Sequence, residues 1–309
     1  VIPVSIRRWR KNIFKAWHSA EWKQFRGALR KYHYDLVIDA QGLLKSAWVT
    51  RFVKAPTAGF DYQSSRERAA SFLYHRRYAV AQDVHAVQRI RRLFSEALNY
   101  PLSSGDVSFG LDTQQFTHRA PRVGSIVVVP DDGQNLKKIS PAYWRALIET
   151  LVAAGYQVKV PSRLSRDRDQ ARDIVAGIAG AKALPVANLK GLAGILAEAQ
   201  GIVAADGALS SLSAALNLPT VSLFCAERSL LAGPFGQLHC YVCEQPLACV
   251  QGVPEPNAGS EAHNSDEMAL LAPVSVLEKL QSTISLRDEG ILPDGAVESL
   301  DREAIAEPA

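Results

Sequence analysis

Gly201-Ile-Val-Ala-Ala-Asp206-Gly207-Ala208-Leu209-Ser210-Ser211-Leu-Ser-Ala-Ala-Leu216 reads as a buried strand, a tight turn and a helix in direct succession. The uncharged run Ile202 to Ala205 suits a parallel strand covered on both faces. Asp206 and Gly207 stop it, and Leu209, Leu212 and Leu216 then recur on one helical face. The helix therefore begins where the strand ends. In an open α/β sheet that place is the ligand crevice, and the free backbone N–H groups and dipole of a helix start suit it to anions. An ordinary strand-to-helix turn without functional consequence is the competing reading.

Working outward, the same alternation continues on both sides. Ser125 to Val129 is a strand, and Ser140-Pro141 caps and opens a helix that runs to Ala153 and stops at Gly155. Tyr156 to Val160 is a strand, Arg166 to Ile178 a helix, Leu189 to Ala199 a helix capped by Asn188, and Thr220 to Phe224 a closing strand. Strand and helix in turn mean a parallel, doubly wound sheet. Upstream, Trp17 to Lys31 has helical spacing and Tyr34 to Asp39 is a strand turned by Ala40-Gln41-Gly42 into a helix. Thr57 to Phe60 is a short strand, Arg66 to His75 a helix, Tyr78 to Val80 extended, and His85 to Leu98 a long helix. His85 and Arg89, one turn apart, can act together on an anion or face water. The first residues, from Val1, read as the middle of a strand.

The 309 residues suffice for two domains. Turn formers put the connection near residues 112–123, giving an α/β domain over 1–115, a second over 116–284 and an acidic, disordered tail over 285–309. Residues 244–267 read as a surface loop. With 47% hydrophobic and 21% charged residues the chain is globular, and no apolar run approaches the ~18 residues that span a bilayer. A cytoplasmic location is the expectation. Cys225, Cys240, Cys243 and Cys249 read as reduced thiols, since a fourth ligand at metal spacing is missing.

Charge is divided unevenly. Residues 1–100 hold 19 Lys+Arg against 7 Asp+Glu, and the remainder 16 against 24. The first half faces something anionic: an acidic phosphorylated substrate, a membrane surface or nucleic acid. There is no P-loop, no G-x-G-x-x-G after a strand, no H-E-x-x-H and no G-x-S-x-G.

Arg7-Arg8-Trp9-Arg10-Lys11, Asp39-Ala-Gln-Gly-Leu-Leu-Lys45-Ser46, Ser65-Arg66-Glu67, His85-Ala-Val-Gln-Arg89 and Asp206 with its Leu209-Ser210 helix start resemble the bacterial lipopolysaccharide heptosyltransferases (glycosyltransferase family 9). The resemblance implies a GT-B architecture of two Rossmann-like domains. It also implies an inverting, metal-independent transfer of heptose, of the heptosyltransferase I type, from ADP-heptose to Kdo of Kdo-lipid A. It places Arg7, Arg8, Arg10, Lys11, Arg66 and His85 on the acceptor side, and Lys137, Asp167, Asp206, Gly207, Ala208 and Ser211 on the donor side. Lys137 would balance diphosphate charge and Asp167 would accept hydrogen bonds from sugar hydroxyls. No nucleic acid and no cofactor are expected, and an anionic membrane surface is a candidate partner.

Departures from the family pattern are equally specific. Asp-Thr-Gly-x-x-His is replaced by Asp206-Gly207-Ala208-Leu209-Ser210-Ser211, so the histidine is absent. Asp131-Asp132-Gly133 stands where the family has hydroxyls beside the phosphates, and two like charges ~4 Å apart repel by about 4 kcal/mol at an effective dielectric of ~20. The family's first strand-turn-helix unit, which carries the general base, has no counterpart before the Val1 segment, and Asp39 is the weak candidate to replace it. The expectation is an N-terminal domain lacking its first βα unit and a chain of low activity. The alternative is a catalytically silent homologue that binds the acidic acceptor without transfer.

Overall fold

The computed structural model describes residues 1–9, 11–102, 107–130, 139–205, 207–223, 231–236, 238–242 and 272–289. The chain divides into two compact units, Val1–Ser103 and Ser104–Ala309.

The second unit contains β4 (Arg122–Val129), α6 (Pro141–Ala153), β5 (Gln157–Ser162), α7 (Ser165–Val175), β6 (Ala181–Val186), α8 (Leu189–Ala197), β7 (Ala199–Ala205), α9 (Ala208–Ala215), β8 (Thr220–Leu223), β9 (His239–Val242) and α10 (Pro273–Asp288). Its sheet is ordered β6-β5-β4-β7-β8-β9, and every pairing is parallel. The order reverses between β4 and β7, the switch point at which doubly wound sheets bind ligands. Alternate residues of β4 feed different cores. Ile126 and Val128 pack with Trp144, Leu147, Ile174, Leu280 and Ile284, whereas Val127 and Val129 pack with Leu192, Leu196, Leu209 and Leu216. Helices thus cover both faces, which is why Ile126–Val129 of β4 and Ile202–Ala205 of β7 are unbroken apolar runs. The helix starts follow from side-chain caps: Ser140 Oγ accepts from Tyr143 N at 3.2 Å, and Asn188 Oδ1 from Gly191 N at 2.8 Å.

The first unit contains α1 (Ile6–Trp9), α2 (Ile13–His18), α3 (Ala20–Arg30), β1 (Val37–Asp39), α4 (Leu44–Thr50), β2 (Thr57–Phe60), a 3-10 turn (Arg68–Leu73), β3 (Arg76–Tyr78) and α5 (Ala86–Leu98). Its sheet is parallel in the order β1-β2-β3.

Several elements depart from the sequence reading. Residues 1–5 form no strand and the chain turns helical at Ile6, where Trp9 packs edge-on against Trp22 with centroids 5.0 Å apart and donates from Nε1 to Glu21 at 3.2 Å. The helix expected over 17–31 breaks at Ser19, whose Oγ caps α3 by accepting from Trp22 N. The helix expected over 66–75 is a short 3-10 turn, and the extended piece after it lies at 76–78. The expected connection at 112–123 falls inside the second unit, where β4 already begins at Arg122. Strands β6 and β9 were not anticipated; β6 is an edge strand of mixed polarity and carries no buried apolar run. Helix α10 extends to Asp288, into the region expected as disordered tail. The remainder of that tail and the loop 244–267 lie outside the described residues, as do Cys225, Cys243 and Cys249.

Candidate functional site

In the second unit, the residues leaving β4 and β7 border the switch point. Lys137, Asp206 and the Asp131-Asp132-Gly133 segment lie outside the described residues. Gly207 is the N-cap of α9, with its backbone locked by Ser210: Gly207 N donates to Ser210 Oγ at 3.2 Å, and Ser210 Oγ donates to Gly207 O at 2.9 Å. Ser210 is fully buried, so this reciprocal pair fixes the turn without occupying its outer side. The N–H groups of Leu209 and Ser210 have no acceptor among the described residues. Ala208 and Ser211 are exposed at the same helix start. A small-residue helix start with orphan donors at a switch point can take the oxygens of a phosphate.

Asp167 has a local task as well. Its Oδ2 accepts from Leu164 N at 2.9 Å, closing the first turn of α7, and Oδ1 faces Arg166 at 3.3 Å. The carboxylate expected to meet sugar hydroxyls is therefore partly committed to its own helix.

In the first unit, Asp39 ends β1 and is buried at 5% exposure. Its Oδ1 accepts from Gln41 N at 2.9 Å and its Oδ2 from Tyr74 Oη at 2.7 Å. Both oxygens of Asp39, the weak candidate for the base, are thus engaged, one by its own turn and one by Tyr74. The turn that follows needs glycine at 42, since φ is +61° and a Cβ there would stand 3.2 Å from Arg66 N. Gly42 O accepts from Glu67 N at 2.9 Å, and Glu67 Oε2 accepts from Leu44 N at 2.6 Å. The start of α4 thus already holds a carboxylate.

The loop carrying Arg66 is tied to α5. Arg89 donates to Ser64 O at 2.6 Å and to Ala81 O at 2.9 Å and lies over the Phe60 ring at 4.9 Å. Burial, and then the field of Arg66, lower its pKa. His85 is buried as the N-cap of α5, its Nδ1 accepting from Val87 N at 3.2 Å. The expected His85–Arg89 pair is consequently turned inward as scaffold. Arg66 is exposed beside it, and no carboxylate pairs with it among the described residues.

The basic run at 7–11 is divided by the fold. Arg8 pairs with Glu21, which also accepts from Ser5 and Trp9. Those hydrogen bonds, Trp9 first, hold the Glu21 carboxyl below its usual range. Lys11 is exposed, Arg7 lies in α1, and Arg10 is outside the described residues. Tyr74 and Ser64 are the residues that sequence reasoning missed; their partners are distant in the chain and leave no local pattern. Among the described residues, no three His, Cys, Asp or Glu side chains gather as metal ligands. No described helix is long and apolar enough to cross a membrane.

Two parallel-sheet α/β units, one in doubly wound order with a phosphate-suited helix start at its switch point, define a GT-B glycosyltransferase fold. The sequence model of glycosyltransferase family 9 (heptosyltransferase) matches residues 22–257. Lipopolysaccharide heptosyltransferase 1 of Pseudomonas aeruginosa is 44% identical over 238 residues, spanning 77% of this chain and 67% of that protein. The solved Escherichia coli heptosyltransferase WaaC with ADP superposes at a TM-score of 0.77 and 32% identity, covering 92% of this chain and 83% of that one. Its form with ADP-2-deoxy-2-fluoro heptose gives 0.74 at the same identity, covering 91% and 82%. The chain belongs to glycosyltransferase family 9, the heptosyltransferases.

Proposed function

We propose that this glycosyltransferase moves heptose from ADP-heptose to a Kdo hydroxyl of Kdo-lipid A, on the cytoplasmic side, by inverting displacement without a metal. The observation that carries the reading is likeness at 44% identity to a heptosyltransferase 1, together with a WaaC structure holding an ADP-heptose analogue. The start of α9 would take diphosphate oxygens on the N–H groups of Leu209 and Ser210, with Lys137 as counter-charge. Arg66, exposed and unpaired among the described residues, is the best-placed acceptor-side cation of the first unit and would meet phosphate or Kdo carboxylate.

The test is transfer of labelled heptose from ADP-heptose to Kdo-lipid A, with calorimetry of each substrate. Ala208→Asp puts a carboxylate at the α9 start and should weaken ADP binding by about 5- to 30-fold, the equivalent of ~1–2 kcal/mol. Arg66→Ala should weaken acceptor binding and leave ADP binding alone. No transfer under any condition would sink the reading. The second reading, a silent homologue that binds acceptor only, is favoured by one observation: Asp39 is fully engaged by Tyr74 and Gln41. It predicts acceptor binding without ADP-heptose binding.

A further inference from the structure

Four arginines crowd residues 61–77 of the first unit, and no acid neutralises them. Arg66, Arg68, Arg76 and Arg77 are all exposed. The two acids of the segment are engaged by backbone amides: Asp61 Oδ1 accepts from Ser64 N at 2.7 Å, and Glu67 Oε2 from Leu44 N at 2.6 Å. Among the described residues no ion pair reaches any of the four guanidinium groups.

Two of the four lie over aromatic rings. Tyr62 is 48% and Phe72 65% exposed, and their centroids are 5.7 Å apart. The Arg68 guanidinium is 5.6 Å from the Tyr62 centroid, and that of Arg77 is 6.0 Å from the Phe72 centroid. The result is a ladder, Arg68-Tyr62-Phe72-Arg77, drawn from a loop, a 3-10 turn and a strand. Its base is fixed. Ser64 Oγ accepts from Val80 N, Ser65 Oγ donates to Phe60 O at 3.0 Å and Ser71 Oγ to Arg68 O at 2.8 Å, while Ala70 and Tyr74 on either side of Phe72 are buried. A guanidinium resting on a ring has already lost part of its side-chain freedom and keeps its planar N–H fork, so it takes two oxygens of a phosphate at a smaller entropic loss. Protection of an edge strand explains charge at Arg76 and Arg77, since β3 pairs with β2 alone among the described strands. It does not explain Arg68 in the 3-10 turn or the two exposed rings.

We infer, on the footing of heptosyl transfer to a phosphorylated acceptor, that Tyr62 and Phe72 hold Arg68 and Arg77 as a phosphate-reading subsite, which sets a preference for acceptors carrying phosphate on their sugars. The probes are O-deacylated Kdo-lipid A, used without any bilayer, and the same molecule stripped of its phosphates. Both keep the Kdo carboxylate, so a preference between them reports phosphate alone. The KM of the unaltered chain should be about tenfold lower for the phosphorylated probe, and raised salt should narrow the gap. Arg68→Gln with Arg77→Gln should erase the preference. Phe72→Ala, which removes an exposed ring and leaves both charges, should reduce it severalfold in a chain that unfolds at the same temperature. Arg77→Lys keeps the charge without the fork and should fall in between. Equal KM values for the two probes overturn this inference and leave the transfer reading standing. A preference that survives the double Gln variant, or that Phe72→Ala leaves intact, overturns it as well. Transfer to neither probe sinks the transfer reading and this inference with it.

Discussion

Tyr74 Oη donates to Asp39 Oδ2 at 2.7 Å between two buried side chains 35 residues apart, and this bond joins the end of β1 to the segment before β3. Its removal should be costly in one direction. Tyr74→Phe should lose about 1–2 kcal/mol and Asp39→Ala more, because the latter strands both the tyrosine hydroxyl and Gln41 N–H. A double-mutant cycle followed by urea unfolding should give a coupling of about 1–3 kcal/mol. Additive effects would show that the bond does not contribute.

Burial, reinforced by the Asp39 carboxylate, raises the Tyr74 pKa, and burial pushes Tyr143 up to about 12. A phenol that keeps its proton in the folded state while the unfolded chain ionises contributes stability that is complete below the unfolded pKa and is lost above it. Stability should therefore fall from about pH 10 upward. Tyr74→Phe and Tyr143→Phe should each flatten that fall in unfolding measured across the alkaline range. Among the described residues the buried Tyr143 hydroxyl has no partner, so Tyr143→Phe should also be neutral or stabilising at pH 7.

Gly59 lies under the Tyr74 ring, where an added Cβ would collide with Cδ2, Cε2 and Cζ. Gly59→Ala should cost about 1–3 kcal/mol by displacing the ring. In a Tyr74→Ala background the same substitution should cost much less, which thermal unfolding of the two pairs would reveal.

Arg89 closes the 61–67 loop through two carbonyls. Arg89→Lys can reach only one of them, and should lose about 1–3 kcal/mol. Hydrogen exchange gives the sharper readout: the Val80 amide, which donates to Ser64 Oγ at 2.8 Å, should exchange faster while amides of β4 are unchanged.

What could be read from the sequence was what repeats locally. Ser140-Pro141 and Asn188 announce helix starts by their own chemistry, and the apolar runs of β4 and β7 can only be strands covered on both faces. Partners far apart in the chain carry no such signal. Asp39 is an acid at a strand end whether it faces substrate or Tyr74, and Arg8 is one member of a basic run until Glu21, thirteen residues on, claims it. Edge strands failed for a related reason, since β6 has one bonded neighbour and half-exposed faces that need no apolar pattern.

Helix α10, the last described element, supplies Val276, Leu280 and Ile284 to the core formed by α6, β4 and β8. Synthesis completes β9 at Val242 and reaches Pro273 only thirty residues later, a delay of about 2–6 s at ordinary elongation rates. Through that interval the sheet flank packed by α6 and α7 lacks its third helix. The second unit therefore completes this core only after the last helix has been made, well behind the sheet it seals.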